Sequence, residues 1–455
     1  MTLAAVVQMR CKYLMTDQFE AQLNLGKAAA AQNRWPEAEG SLRAALAISP
    51  DDMRATRALG QLLISQKRFG EAEDVWRKAV ALDSEHAESA QVLGLVLLRK
   101  RDLEGAAALF TRALALDPAM GESAFNLGRI AYLGDDRAQA AEAFAAAVKA
   151  EPGHVKALAA LIQTLTELQR ETEAVALGAK AIAALEGRTD VPVAGLNEAR
   201  QHMAHAYRRL GDITQAAACY RAIIAADPSD KVARHLLAAA QGEITEEYAG
   251  AFAKNFFENF AETFDEHLVG RLNYAAPGQL AKDLLGLRSD PDAFPAVLDL
   301  GCGTGLAGLA LAGKFRIAQL VGIDISEKML AEAAKRCLYT DLIAGDAVAV
   351  MAARNDQFDL VVAADVLLYA GSLEPVFTQV LRLLKPDAVF AFSVEISPTA
   401  DFDLAANGHY RHNRNYIARL ATSLGFQIAR AVDAPLRKEA YQLVDAHYVY
   451  LIKAA

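Results

Sequence analysis

The chain is poor in cysteine, in excess positive charge and in long apolar runs, and each shortage argues against a class of protein. Its four cysteines (Cys11, Cys219, Cys302, Cys337) are scattered, with no C-x-x-C pair. That argues against a disulfide scaffold and predicts a reducing, cytoplasmic setting with each thiol a small apolar filler. No stretch approaches about 18 uninterrupted apolar residues, so no membrane-spanning helix is expected. The opening MTLAAVVQMRCKYLM has no basic segment ahead of its apolar run and does not read as a signal peptide. Basic residues number 47 against 56 acidic ones. The deficit is uneven: residues 1–242 carry 28 basic and 29 acidic side chains, residues 243–455 only 19 and 27. An acidic second part is a poor match for a phosphate backbone, so no nucleic-acid partner is expected. Apolar residues are plentiful at 53%, the composition of a folded globular chain, and 455 residues are too many for one core.

The first part repeats. Gly26, Gly60, Gly94 and Gly128 share one phase, as do Ala38, Ala72, Ala106, Ala140 and Ala174, and again Ala45, Ala79, Ala113, Ala147 and Ala181. Pro50, Pro118 and Pro152 keep that phase, with Ser84 in the remaining slot. Small residues at helix crossings and a proline closing the second helix resemble the tetratricopeptide (TPR) helix pair. A sixth unit follows with Ala204, Ala216 and Pro228, displaced by an insertion around EGRTDVPVAG, 186–195, whose glycines and proline suit a surface loop. We expect a TPR domain over residues 18–242 behind a short extension, 1–17. The resemblance implies a superhelix whose concave face holds a peptide or partner protein, or a platform for a homodimer.

The second part alternates strands and helices. VLDL precedes a helix from Leu306; QLVGIDI precedes a helix from Glu327 capped by Ser326. DLIAGDA, FDLVVAAD, a helix near 373–384 and AVFAFSVE follow, then a helix near 413–424 and two closing strands, FQIARAVDA and AHYVYLIK. The pattern predicts a Rossmann-like α/β sheet, parallel at first, whose last two strands pair antiparallel. Its first turn reads AVLDLGCGTGLAG, and glycine spacing alone fits both a dinucleotide and a methyl-donor site. The acids discriminate. Asp299 precedes the first glycine, where it would repel a pyrophosphate and attract an ammonium; Asp324, Asp346 and Asp365 end the second, third and fourth strands.

Residues 296–395 thereby resemble class I S-adenosylmethionine-dependent methyltransferases. The resemblance implies that Gly301, Gly303 and Gly305 form the turn under the cofactor's methionine part and that Asp299 holds its ammonium. It further implies that Asp324 takes the ribose hydroxyls with Ile325 against adenine, that Asp346 and Ala347 meet the adenine, and that Asp365 lies near the sulfonium. The whole layout, repeats joined to a methyltransferase domain (291–455) through a helical lid or linker at 243–290, is similar to a bacterial group of TPR-methyltransferases.

After the fourth strand the chain reads Asp365-Val366-Leu367-Leu368-Tyr369, without the Asn/Asp-Pro-Pro-Tyr/Phe of amide and nucleobase N-methylation and without a Pro-Cys nucleophile. Tyr248, Phe252, Phe256, Phe260 and Phe264 fall on one helical face, as a core stripe or a lid. His267 and Tyr274 are the polar residues of that region, and Tyr369 is a third candidate beside the acceptor. GHYRHNRNY, 408–416, is expected as a solvated loop and helix start, whose Arg411 would suit an acceptor carboxylate. No cluster has metal-ligand spacing, so no metal is expected. The expectation is a methyl transfer to a small carboxylate-bearing molecule; a protein acceptor delivered by the repeat groove and a non-catalytic, cofactor-binding adaptor are the alternatives.

Overall fold

The structure, a computed structural model, describes residues 3–261, 264–265, 274–398, 400–439 and 442–454. It divides into two compact units, Met1–Leu210 and Gly211–Ala455. Among the described residues the first unit is all helical, from α1 (Leu3–Ala31) to α11 (Val193–Arg209). The small-residue ladder works through close approach. A Cβ at Gly60, Gly94 or Gly128 would stand 2.5, 2.8 or 2.5 Å from the ring of Trp76, Phe110 or Phe144, and one at Gly26 would stand 2.7 Å from Leu42. Each glycine in a first helix thus makes room for a buried large residue in the second. Ala38, Ala72, Ala106, Ala140 and Ala174 are fully buried beside them.

A second ladder lies in the turns within each pair. Asn33, Lys67, Arg101, Asp135 and Gln169 all adopt the left-handed region, φ +56 to +65°, at a cost of about 1–2 kcal/mol each for residues with a Cβ. Loop 186–192 precedes α11, which begins inside the expected insertion. A cavity of about 370 Å³ in this unit is lined by Phe125, Arg129, Tyr132, Lys156, Gln163 and Glu198.

The second unit opens with α12 (Ile213–Ala226) and α13 (Lys231–Gln241), so the boundary falls inside the sixth repeat, whose first helix is α11 and whose second is α12. Then come α14 (Ala249–Phe260), α15 (Ala276–Leu287), β1 (Ala296–Leu300), α16 (Leu306–Ala312), β2 (Gln319–Asp324), α17 (Glu327–Ala334), β3 (Asp341–Ala344), α18 (Ala347–Ala352) and β4 (Phe358–Ala363). A short 3₁₀ turn, Leu367–Tyr369, leads to α19 (Glu374–Leu383), β5 (Leu384–Glu395), β6 (Phe402–Leu404), β7 (Tyr410–His412), α20 (Arg414–Ser423), β8 (Phe426–Glu439) and β9 (Gln442–Lys453). The main sheet runs β3-β2-β1-β4-β5-β9-β8, with the first five strands parallel and β9 antiparallel to both neighbours. β1 is buried at every position, as a central strand between helix layers must be. The chain order reverses between β1 and β4, which opens a crevice at their carboxyl ends.

Two expectations change. Segment 408–416 is not a plain loop: Tyr410–His412 is a strand paired with β6, and Tyr410 and His412 are fully buried. The aromatic stripe is rotated. Ala249 and Ala253 form the buried face of α14, so Phe252 and Phe257 flank it while Phe256 is 41% exposed.

Candidate functional site

The turn after β1 is built on three glycines in the left-handed region, Gly301 (φ +61°), Gly303 (+54°) and Gly305 (+90°), where a side chain would be strained. They differ in what surrounds them. A Cβ on Gly301 would collide with Val366 Cγ2 at 2.2 Å, whereas among the described residues one on Gly303 would meet only Phe264, at 3.9 Å. The turn is therefore pinned against the segment after β4 and open at its middle.

Asp299, one pleat below the turn, is fully buried. Its Oδ2 accepts from Tyr339 Oη at 2.7 Å, and its Oδ1 has no hydrogen-bond partner among the described residues. Burial pushes its carboxyl up to about 7, Asp324 adds to the rise, and the Tyr339 bond opposes it. Gly308 makes room for Tyr339, whose Oη would lie 2.5 Å from a Cβ there. Asp324 closes β2 with its Oδ2 accepting from Gly303 N–H and its Oδ1 from Ser326 N–H, both at 2.8 Å. Its carboxyl is raised by burial and by Glu258, against the pull of those amides. The acid thus ties the glycine turn to the start of α17, which Ser326 caps through Met329 N–H.

Helix α14 lies over this end of the sheet. Glu258 Oε1 accepts from Ser326 Oγ at 3.0 Å and from Glu327 N–H at 3.1 Å, a carboxylate at a helix start. Asp265 is bound by Thr304 and Arg336, and these residues line a cavity of about 210 Å³ with Ala261, Glu332 and Lys335. Ile325 is half-buried under Gly250. Asp346 is exposed and caps α18 through Ala349 N–H at 2.9 Å, with Ala347 as that helix's first residue.

Beyond β4 lies a second cluster. Asp365 (φ +55°) receives both its hydrogen bonds from Arg437 Nη1, at 3.0 and 2.9 Å, and its own N–H reaches Ser393 Oγ. Arg437 Nη2 donates to Glu395 Oε1 at 2.6 Å, and the same oxygen stands 3.2 Å from His409 Nδ1. Burial alone would raise Glu395, but His409 and Arg437 bring it down to about 2; Asp365 is raised by burial, which Arg437 offsets only in part. The Tyr369 ring meets Phe257, Phe252 and His409 at 5.4, 6.2 and 5.6 Å between centroids. Tyr274 donates to Ala364 O at 3.3 Å, and burial and Asp365 push its phenol up.

The structure therefore gathers Asp299, the three glycines, Asp324 and Ile325 at one side of the crevice, and Tyr274, Asp365 and Tyr369 at the other. Arg411 is not in that cluster: its Nε donates to Asp403 Oδ1 at 2.7 Å across the β6–β7 pair. His267 lies outside the described residues. Sequence reasoning passed over Tyr339, Glu258, Glu395 and Arg437. Glu395 carried a signal, being one more acid at a strand end. Arg437 carried none, because a bulge between Pro435 and Arg437 buries Leu436 and Arg437 in succession. Among the described residues no group of three or more His, Cys, Asp or Glu is arranged to hold a metal.

An ammonium has a place at the unpartnered Oδ1 of Asp299, and the open face of Gly303 leaves room for an extended ligand above it. The residues present fit S-adenosylmethionine.

Comparison with known proteins agrees in both units. Residues 297–387 match the family described as a methyltransferase domain, and residues 23–87, 92–136, 125–188 and 197–240 match tetratricopeptide repeat families. The malonyl-[acyl-carrier protein] O-methyltransferase of Methylovorus sp. (strain MP688) is 33% identical over 106 residues, 22% of this chain and 36% of that protein. The trans-aconitate 2-methyltransferase of Variovorax paradoxus (strain S110) is 33% identical over 114 residues, 25% of this chain and 43% of that protein. The chain thus spans under half the length of either relative. A crystal structure of magnesium protoporphyrin IX methyltransferase from Synechocystis PCC 6803 is 18% identical, covering 45% of this chain and 97% of that one, with a TM-score of 0.35. The chain carries N-terminal tetratricopeptide repeats and a C-terminal Rossmann-like methyltransferase domain.

Proposed function

We propose that the protein is an S-adenosylmethionine-dependent methyltransferase. The observation that supports this best is the fully buried Asp299 with one unpartnered oxygen beneath a turn of three left-handed glycines. S-adenosylmethionine supplies a methyl group activated by a sulfonium. Asp299 would accept from its ammonium, and Asp324 would use its remaining lone pairs for the ribose hydroxyls. Ile325, Ala347 and Asp346 would meet the adenine, and Asp365 would face the sulfonium. Helix α14 and Phe257 would exclude water, which matters because in-line displacement depends mostly on alignment.

The acceptor is open between two classes. The malonyl and trans-aconitate substrates of the relatives above favour a small carboxylate-bearing acceptor, and the repeats favour a peptide of a partner protein held near Phe125 and Tyr132. Among the described residues no helix is long and apolar enough to cross a membrane, and we propose a cytoplasmic location. Calorimetric titration should show S-adenosylmethionine and its demethylated product binding and NAD not binding. Tight NAD binding without any response to S-adenosylmethionine would refute the proposal. Transfer of radiolabel to neither small molecules nor macromolecules of a cell extract, despite confirmed binding, would instead favour an adaptor.

A further inference from the structure

We propose that His409, oriented by Glu395, takes the proton of the methyl acceptor, so that the acceptor presents a neutral O–H or N–H rather than a carboxylate. This rests on the methyltransferase reading. The first argument is charge. Asp365, Glu395 and Arg437 expose 14, 9 and 7% of their side chains and lie in one cluster. They amount to two carboxylates against one guanidinium, and that guanidinium already donates to both acids. A third carboxylate brought here would be desolvated beside two others with Arg437 already engaged, which is unfavourable. Arg411, the residue expected to hold such a group, is bonded to Asp403.

The second argument is geometry. Three groups face His409 Nδ1: Glu395 Oε1 at 3.2 Å, Asn407 Nδ2 at 3.2 Å and Arg437 Nη2 at 3.4 Å. Asn407 and Arg437 bring only N–H donors, whereas Glu395 brings a carboxylate, and the charge-assisted bond to that carboxylate is the strongest of the three; it puts the proton on Nδ1 and the lone pair on Nε2. Among the described residues nothing hydrogen-bonds to Nε2. A carboxylate that holds the Nδ1 proton while Nε2 stays basic is the arrangement general-base catalysis needs.

The third is placement. His409 packs edge-on against Tyr369, four residues along from Asp365, and its backbone is held on both sides. Asn407 Oδ1 accepts its N–H at 3.1 Å, and Gly408 O accepts from the buried His235 Nε2 of α13 at 2.9 Å. Gly408 itself (φ +88°) admits Phe252, which a Cβ there would approach to 2.9 Å.

In the step, the acceptor's X–H bond breaks and its proton passes to Nε2. The acceptor's electron pair forms the new X–CH₃ bond, while the pair of the broken S–CH₃ bond stays on sulfur. The imidazolium, paired with Glu395, then returns its proton to water.

Two measurements on the full-length chain test this. ¹⁵N-histidine NMR of the free protein should show His409 protonated on Nδ1, with Glu395→Gln shifting the tautomer; a proton resident on Nε2 overturns the dyad whatever the acceptor. Methyl-tritiated S-adenosylmethionine incubated with a bacterial cell extract should give a labelled product stable to mild base, and His409→Gln should lower transfer about 100-fold without changing cofactor affinity. Label released by base as volatile methanol, the mark of a methyl ester, overturns the proposal, as does full transfer by His409→Gln. Failure of the wild-type chain to bind S-adenosylmethionine would refute the methyltransferase reading instead.

Discussion

Replacing Asp299 by Asn should make the stability of the catalytic unit less sensitive to pH, in a direction opposite to that of most carboxylates. The carboxyl sits at about 7 in the folded protein because it is fully buried, which outweighs the bond from Tyr339 that lowers it. In the unfolded chain it returns to about 3.9. Between those values the folded protein holds a proton that the unfolded chain has released. Folding is therefore favoured most below about pH 4, loses ground as pH rises to about 7, and changes no further above that. The full interval corresponds to about 4 kcal/mol, of which about 2.5 kcal/mol falls between pH 5 and 8. The stability of wild type minus that of Asp299→Asn should fall by that amount over this range, with the other titrating groups cancelling in the difference. Both tryptophans, Trp35 and Trp76, lie in the repeats and report on the other unit. The measurement should instead follow amide hydrogen exchange of β1 at a series of pH values. A difference that stays flat, or that rises with pH, would show that Asp299 is already ionised in the free protein and would sink the argument. An ammonium beside Oδ1 favours the carboxylate, so titration of S-adenosylmethionine at pH 6 in two buffers of different ionisation enthalpy should also report proton release, absent in the variant.

Gly301→Ala should cost about 2–5 kcal/mol in urea unfolding, from the left-handed backbone and the 2.2 Å approach to Val366; a loss under about 1 kcal/mol would mean the turn can relax. Asp324→Ala removes the acceptor of Gly303 and Ser326 N–H and should weaken S-adenosylmethionine by on the order of 2 kcal/mol in calorimetry. Arg437→Met leaves buried Asp365 unpaired and Glu395 with His409 alone and should destabilise the unit by about 3–5 kcal/mol, whereas Arg411→Ala breaks one half-exposed ion pair and should change stability by less than about 1 kcal/mol. Equal effects in thermal unfolding would refute the assignment of Arg437 to the buried cluster.

Local periodicity was enough to recognise the repeats, because each glycine meets a large partner within its own helix pair and the pattern recurs in register. It did not disclose that the second helix of the sixth repeat clusters with the sheet, together with α13, whose His235 finds Gly408 and Phe252 far along the chain. The left-handed turns at Asn33, Lys67, Arg101, Asp135 and Gln169 were invisible too, because no glycine marks them. In the second unit the strand order of acids and glycines could be read directly: a parallel sheet brings the ends of successive strands to one edge, so Asp299, Asp324 and Asp365 had to meet there. What a sequence pattern cannot carry is pairing between distant strands. A bulge in β8 turns Arg437 inward against Asp365 and Glu395, and an antiparallel pair turns Arg411 towards Asp403 instead. Composition and spacing determined which fold and which cofactor edge this chain builds; only the tertiary structure decided which arginine is buried there, because burial of a charge is settled by the partners that three-dimensional packing supplies.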